Sequence, residues 1–412
     1  MKYQLVCKKC GKVIPDFATW FQNDQHCSCG SNHAEVVYPS SVLQKLKSVD
    51  WEHLSGDSFL DLYFDFLPLL SRDNIVSFGE GAIPIERWTH LEEYALQHYG
   101  IQCQTFVYRN DLNAGTGTFK DIAAALAASV MKENGVTDYC LASTGNAATA
   151  YAAYLAKANI RFTEFAPCDV ESETIEAIRR CGQEIVISKG GYGAAKAEAA
   201  AFHDNQHVMI SAGNIDPLRV EAKRTMVFEF LRQLGALPTV YMQAVAGGTG
   251  PIALDKGFRD LSSVCPGLQF PRLLLVQQDL CDPMVRAWEK AQANNFPEGY
   301  ENDYQPISDL RTRISILTAA NPGMYPKVAP MVRQSGGTFL RVAEAQLPEF
   351  GRDMLRNRNI LMGPAAMVCY AGFFKALHEG QIRNGDRVLL NTGEGSARAQ
   401  WFVNEVKNTP QQ

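Results

Sequence analysis

From Ile122 onward the apolar positions of the chain alternate between two periods. Ile122 to Asn134 repeats at helical spacing and stops at Gly135. Tyr139 to Ala142 is then a short apolar run of strand type. The alternation continues with a helix over Ala147 to Lys157, a strand over Arg161 to Ala166 and a helix over Ser172 to Arg180 that ends at Gly182. A strand over Glu184 to Ser188, a helix over Ala194 to Asp204 and a strand over Val208 to Ser211 follow. Val240 to Val245 and Leu273 to Gln277 are two further short apolar runs. Strands of this kind, separated by helices, predict an α/β protein with parallel sheets covered on both faces. Ser41 to Leu70 has helical periodicity of its own, through Trp51, Leu54, Phe59, Leu62, Phe66 and Leu69. Asn294 to Gln305 reads as a loop, and the tail from Asn408 as frayed.

Loops rich in small residues sit at the ends of these elements. Gly115-Thr116-Gly117-Thr118-Phe119-Lys120-Asp121 leads into the first alanine-rich helix. Ser143-Thr144-Gly145-Asn146 lies between the next strand and helix, and Ala246-Gly247-Gly248-Thr249-Gly250 follows the Val240 strand. Near the C-terminus Val388-Leu389-Leu390-Asn391 runs into Thr392-Gly393-Glu394-Gly395-Ser396. A strand, a small-residue loop and a helix start offer backbone N–H groups and a positive dipole end to anions. Lys120 reads two ways on its own residues: a surface lysine on a flexible turn, or a buried amine kept neutral as a nucleophile for a Schiff base. A dinucleotide loop would need Gly-x-Gly-x-x-Gly, and the glycines at 247, 248 and 250 do not have that spacing.

Composition narrows the class. The 412 residues are 46% hydrophobic, enough for two or three domains with substantial cores. A net charge of −5 without a long basic run speaks against nucleic acid or an anionic membrane as partner. The absence of a long apolar stretch or a signal-peptide core makes the cytoplasm the expected location. Four of the eleven cysteines crowd into the start of the chain, Cys7, Cys10, Cys27 and Cys29. Cys7-Lys8-Lys9-Cys10-Gly11 has the spacing of a zinc knuckle, and Cys27-Ser28-Cys29-Gly30 is one residue short of it, so His26 is an alternative ligand. Reduced thiols without metal are the competing reading.

The order of these motifs resembles the fold-type II family of pyridoxal phosphate (PLP) enzymes, and within it threonine synthase, from about Val76 to Thr392. Gly79-Glu80-Gly81-Ala82-Ile83-Pro84 is similar to the family's glycine-glutamate-glycine segment, and Thr118-Phe119-Lys120-Asp121 to its Ser-Phe-Lys-Asp motif. Ser143-Thr144-Gly145-Asn146 matches outright, and Asn214 to Glu221 resembles the asparagine-proline-arginine-glutamate segment. Ala320-Asn321-Pro322 resembles a later glycine-asparagine-proline segment.

The resemblance implies two open, mostly parallel-sheet lobes with helices on both faces, plus a zinc-ribbon-like module over residues 1–38. Residues 39–135 and 212–412 would form the large PLP-binding lobe, and 136–211 the smaller lobe with the Ser-Thr-Gly-Asn loop. It implies Lys120 as Schiff-base lysine and proton carrier, and Asn146 at the phenolic oxygen of PLP. Gly247, Gly248, Thr249 and Gly250 would hold its phosphate. Thr392 would meet its ring nitrogen, with Glu394 or Ser396 as alternatives. Ser143, Thr144 and Gly145 would hold the substrate carboxylate. Arg219 has the best claim on a phosphate of the substrate, ahead of Arg224 and of Lys223, which reads as a solvated helix-face lysine. The four cysteines would bind one structural zinc.

The implied activity is elimination or replacement on a phosphorylated amino acid in a homodimer. Threonine synthase comes first, from O-phosphohomoserine and water. Cysteate synthase, with O-phosphoserine and sulfite, comes second, and a threonine or serine dehydratase third. A non-catalytic protein with a zinc-ribbon interaction module is the alternative of another class. Ala114-Gly115 replaces the proline usual before the lysine motif, Ile122 the arginine that often follows it, and Ile83 a threonine. These departures touch the substrate end of the site and leave leaving group and nucleophile open.

Overall fold

The computed structural model describes residues 1–308 and 310–408. The tail expected to fray lies, beyond Asn408, outside the described residues, and Asn408 itself closes the helix Gln400–Asn408. Among the described residues the strands in chain order are β1 (Gln4–Cys7), β2 (Val13–Ile14), β3 (Ala34–Val37), β4 (Ile85–Arg87), β5 (Gln104–Arg109), β6 (Asp138–Ala142) and β7 (Arg161–Ala166). They continue with β8 (Glu184–Ile187), β9 (Met209–Ile210), β10 (Val240–Ala244), β11 (Arg272–Gln278), β12 (Thr338–Val342) and β13 (Arg387–Thr392). The chain divides into two compact units.

The first unit comprises Met1–Ala82, Asn113–Arg232 and Ala253–Leu268. It holds a small antiparallel sheet, β2-β1-β3, and a parallel sheet in the order β8-β7-β6-β9. The strands and helices of the parallel sheet fall where the periodicity puts them, to within two residues at each end. The alanine-rich helix Lys120–Glu133 is buried from Asp121 through Met131. Alanine has the strongest intrinsic helix preference, and its small side chain lets neighbouring helices approach closely. Asn146–Lys157 and Pro217–Arg224 both pack against this helix.

The stretch from Ser41 to Leu70 is not one amphipathic helix. It is built of short pieces: an α-turn at Ser40–Leu43, a 3-10 turn at Gln44–Ser48, a second α-turn at Phe59–Leu62 and a 3-10 turn at Phe64–Phe66. Ser58 starts a new helix by accepting the Asp61 N–H, and a side chain at Gly56 would press on Asp61 and Leu62 at 3.2 Å. The apolar residues keep their helical spacing because several are buried, Phe59, Leu62, Phe66 and Leu69 among them, not because one helix carries them.

The second unit comprises Ile83–Leu112, Gln233–Ile252 and the chain from Gln269 onward. Its sheet has the order β12-β11-β10-β13-β5-β4, parallel except for the antiparallel edge strand β4. Val240, Met242, Leu274, Val276, Val388 and Leu390 form the centre of its core. The helix Pro364–His378 lies on that core and packs against β10, β11, β12 and β13. Each parallel strand therefore ends in a loop, and two of those loops, after β10 and β13, carry residues singled out by the sequence.

Candidate active site

Lys120 is the first residue of its helix, at the end of a loop that one carboxylate organises. Asp121 is fully buried; its Oδ2 accepts the N–H groups of Thr116 at 3.0 Å and Thr118 at 2.9 Å, and its Oδ1 the Thr116 hydroxyl at 2.7 Å. Burial still prevails over these hydrogen bonds and pushes the Asp121 carboxyl up to about 6. A second buried carboxylate, Glu80, accepts the Tyr154 hydroxyl at 2.9 Å and the Phe78 N–H at 2.8 Å. Gly115 has to be glycine: a methyl there would meet the Tyr154 ring at 2.7 Å and Asp121 Oδ1 at 2.8 Å. The replacement of proline by Ala114-Gly115 thus belongs to a loop packed on Tyr154.

The Ser143-Thr144-Gly145-Asn146 loop joins β6 to the helix Asn146–Lys157. Ser143 Oγ accepts the Gly145 N–H at 3.1 Å, so the loop folds back on its own first side chain. The Ser143 N–H donates to Glu164 Oε1 at 2.7 Å. Glu164 sits on β7 with no exposure, and its Oε2 has no hydrogen-bond partner. Burial pushes its carboxyl well above the usual range, with the Ser143 N–H and the Arg219 charge opposing that shift. Burial thus favours the neutral form of this carboxyl behind the loop. Sequence reading misses Glu164; its only signal is an acidic residue followed by the apolar Phe165-Ala166 end of the strand.

Arg219 lies on the helix Pro217–Arg224, with a side chain 12% exposed. Its Nε donates to the Tyr151 hydroxyl at 3.2 Å and its Nη2 to Ser211 Oγ at 2.8 Å, while Asp216 stands 3.9 Å away. Neutral hydroxyls fix this guanidinium, and its remaining N–H groups are available to an anion. Arg224 is different. It is completely buried, pairs with Glu221 at 3.0 Å and Asp260 at 2.8 Å, and lies 4.6 Å from the Tyr38 ring centroid. Its charge is matched by carboxylates of the first unit. Lys223, expected on a solvated face, is 3% exposed and lies 5.0 Å above the Phe119 ring.

In the second unit the loop after β10 leads into the helix Thr249–Ser262. Gly248 has φ +84°, where a side chain is strained, and a methyl there would meet Val328 Cγ2 at 2.8 Å. A methyl at Gly250 would run into the Gln243 amide. The first turn of a helix leaves N–H groups without helical partners, and Pro251 has none to leave. The donors at this helix start therefore fall on residues 247–250, where glycine backbone admits close approach by phosphate oxygens.

Thr392 ends β13 and is wholly buried. Its hydroxyl donates to the Tyr108 carbonyl at 2.8 Å, so it has lone pairs and no second hydrogen to offer a ring nitrogen. Glu394, 2% exposed, accepts the Ala365 N–H at 2.9 Å at the start of the helix Pro364–His378. That carboxylate caps a helix.

At the N-terminus the four sulfurs of Cys7, Cys10, Cys27 and Cys29 lie within 4.8 Å of one another. Cys7–Cys29 and Cys10–Cys27 are each 3.6 Å apart. Thiolates at about 2.3 Å around a tetrahedral zinc stand about 3.8 Å apart, so the set fits that ion. His26 bonds its own Asp24 carbonyl through Nδ1 at 2.6 Å and is outside the cluster.

The sequence model of the family described as "Pyridoxal-phosphate dependent enzyme" matches residues 76–393. A threonine synthase of Methanocaldococcus jannaschii is 26% identical over 392 residues, covering 94% of this chain and 91% of that protein. A cysteate synthase of Methanoculleus marisnigri is 26% identical over 409 residues, covering 97% and 90%. Among solved structures, threonine deaminase isoform 2 of Solanum lycopersicum superposes with a TM-score of 0.62 at 16% identity, over 78% of this chain and 82% of that one. Among the described residues no helix is long and apolar enough to cross a membrane.

Proposed function

Because the chain belongs to the pyridoxal-phosphate dependent enzyme family, we propose that it acts on a phosphorylated amino acid, converting O-phosphohomoserine and water to threonine and phosphate. Likeness to a threonine synthase over 94% of the chain supports the reaction. The observation that carries a phosphorylated substrate is Arg219, a partly buried guanidinium positioned by two hydroxyls with its nearest carboxylate at 3.9 Å. A charge so placed gains most from an incoming anion.

The residues present fit PLP. Lys120 would hold its aldehyde carbon through the side-chain amine, Asn146 its phenolic oxygen, and the N–H groups of Gly247, Gly248, Thr249 and Gly250 its phosphate. Thr392 would meet the ring nitrogen by turning its hydroxyl hydrogen from the Tyr108 carbonyl to that nitrogen. Bound PLP supplies an electron sink for the carbons of the substrate. The Ser143-Thr144-Gly145 loop would hold the substrate carboxylate at a helix start. The Lys120 amine, once released, would move protons between the α, β and γ carbons. Phosphate leaves from the γ carbon and the water oxygen arrives at the β carbon, so atoms and charge balance. Cys7, Cys10, Cys27 and Cys29 would bind one zinc with a closed coordination sphere, a role in local folding and not in catalysis.

The test is a substrate panel on purified holoenzyme: O-phosphohomoserine, O-phosphoserine, homoserine, serine and threonine, with water alone or with sulfite. Phosphate and threonine should appear together from O-phosphohomoserine. Cysteate from O-phosphoserine and sulfite would replace this reading with a β-replacement. Keto acid from threonine or serine at a comparable rate would replace it with a dehydratase.

A further inference from the structure

The helix Pro217–Arg224 carries two kinds of buried charge. Along one side the charges are matched. Glu221 accepts the Tyr38 hydroxyl at 2.7 Å and pairs with Arg224 at 3.0 Å and Lys256 at 2.9 Å, while Asp260 takes Arg224 at 2.8 Å and Lys256 at 3.2 Å. Lys223 is left out of that network. It is 3% exposed, and among the described residues it has no hydrogen-bond or ion-pair partner; the Phe119 ring lies 5.0 Å from its nitrogen. Phe119 is the residue before Lys120, so the buried ammonium position lies beside the head of the reactive helix.

An isolated ammonium is costly to bury without a partner. The charged groups that act on Lys223 are Lys120 from the packed helix, Arg219 and Asp216. Asp121 on that helix is taken up by Thr116 and Thr118, and Glu35 on β3 is paired with Lys8 and Arg259. Desolvation lowers the Lys223 amine well below its ordinary range, Lys120 and Arg219 lower it further, and only Asp216 opposes them. An anion reaching this amine would supply the partner it lacks.

We propose that Lys223 is a substrate-binding residue that pairs with the anionic leaving group, a phosphate-class oxyanion, next to Lys120. This rests on the reading of a phosphorylated substrate and deepens it: Arg219 alone would not make the pocket selective for a dianion. An adjacent negative charge favours the ammonium form of Lys223, so anion binding there is coupled to proton uptake. The buried amine is thereby selective by charge, since an uncharged leaving group would leave it unpaired.

The experiment uses PLP-loaded full-length protein and inorganic phosphate as probe, with titration calorimetry in two buffers of different ionisation enthalpy. Wild type should bind phosphate with net proton uptake at a pH where free phosphate is already the dianion. Lys223→Gln and Lys223→Met should each weaken phosphate about 10- to 100-fold and abolish the uptake, with the cofactor absorbance and melting temperature retained. Lys223→Arg should bind phosphate without proton uptake. Unchanged phosphate affinity in both neutral variants overturns the proposal, as does a wild type that does not bind phosphate at all. If phosphate binding depends on Lys223 while no phosphorylated amino acid is turned over, the proposed reaction fails and the anion site stands. Turnover of O-phosphohomoserine with a KM indifferent to Lys223→Gln overturns the anion site and leaves the reaction standing.

Discussion

Thr116 is tied to Asp121 at two points, its N–H donating to Oδ2 at 3.0 Å and its hydroxyl to Oδ1 at 2.7 Å. With the Thr118 N–H these bonds shape the turn that delivers Lys120 to the start of its helix. Asp121→Ala should cost about 1.5–3 kcal/mol of stability, the range for hydrogen bonds to a charged group. Its carboxyl is raised from 3.8 to about 6, so the folded protein holds the proton more tightly than the unfolded chain. The resulting contribution is fully present below pH 3.8 and is lost as pH rises through about 6. Urea titrations of wild type and Asp121→Asn across that window should show a steeper loss of stability in wild type. Parallel curves would remove Asp121 as its source.

Lys120 is expected to carry the cofactor. Purified protein should absorb in the visible, and Lys120→Ala should lose that absorbance while keeping its far-ultraviolet circular dichroism. Reduction with borohydride followed by peptide mass mapping should place the label on Lys120. A label on Lys223 would reverse the roles of the two lysines.

The parts of this chain that are legible in its sequence share a physical cause. β6, β7 and the helices around them can be read because buried parallel strands are short and apolar, and each ends in a small-residue loop. The Ser41 to Leu70 stretch cannot, because a set of buried apolar residues mimics a helical period even when Gly56, Ser58 and Pro68 interrupt the backbone. Lys223 misleads for a similar reason: on an eight-residue helix packed on several sides, no face is left for solvent. Thr392 is recognisable as the end of a strand, but its hydrogen bond to Tyr108 needs the register of β13 on β5, which no local pattern encodes. The cysteine cluster is the most legible feature, since the missing residue of the second pair does not keep the four sulfurs apart.

That cluster should hold one zinc per chain by elemental analysis of reduced protein. Chelation, or Cys27→Ser, should loosen the N-terminal module, with Trp20 as reporter. Trp20 is fully buried within it, so its fluorescence should shift to the red on exposure. The PLP absorbance should persist through that change. Protein free of metal would refute the zinc; loss of turnover with Trp20 still buried would refute its structural role.

Glu164 is the buried group most open to a test of its protonation. Its Oε1 accepts the Ser143 N–H at 2.7 Å, its Oε2 has no partner, and burial favours the neutral form of the carboxyl. Because its folded value is raised, its favourable contribution is present below the ordinary 4.5 and declines as pH rises above it. Glu164→Gln keeps an oxygen for Ser143 and cannot ionise. It should therefore match wild type near pH 4.5 and equal or exceed it in stability at about pH 8. Glu164→Ala leaves the Ser143 N–H with only the Phe165 carbonyl at 3.3 Å and opens space behind the loop. It should lose about 1–3 kcal/mol at both pH values and raise KM for the amino-acid substrate through the displaced Ser143-Thr144-Gly145 loop. Denaturant midpoints at the two pH values decide the matter. If Glu164→Gln is destabilised as much as Glu164→Ala at the higher pH, the fold favours the ionised carboxylate and burial does not decide its form.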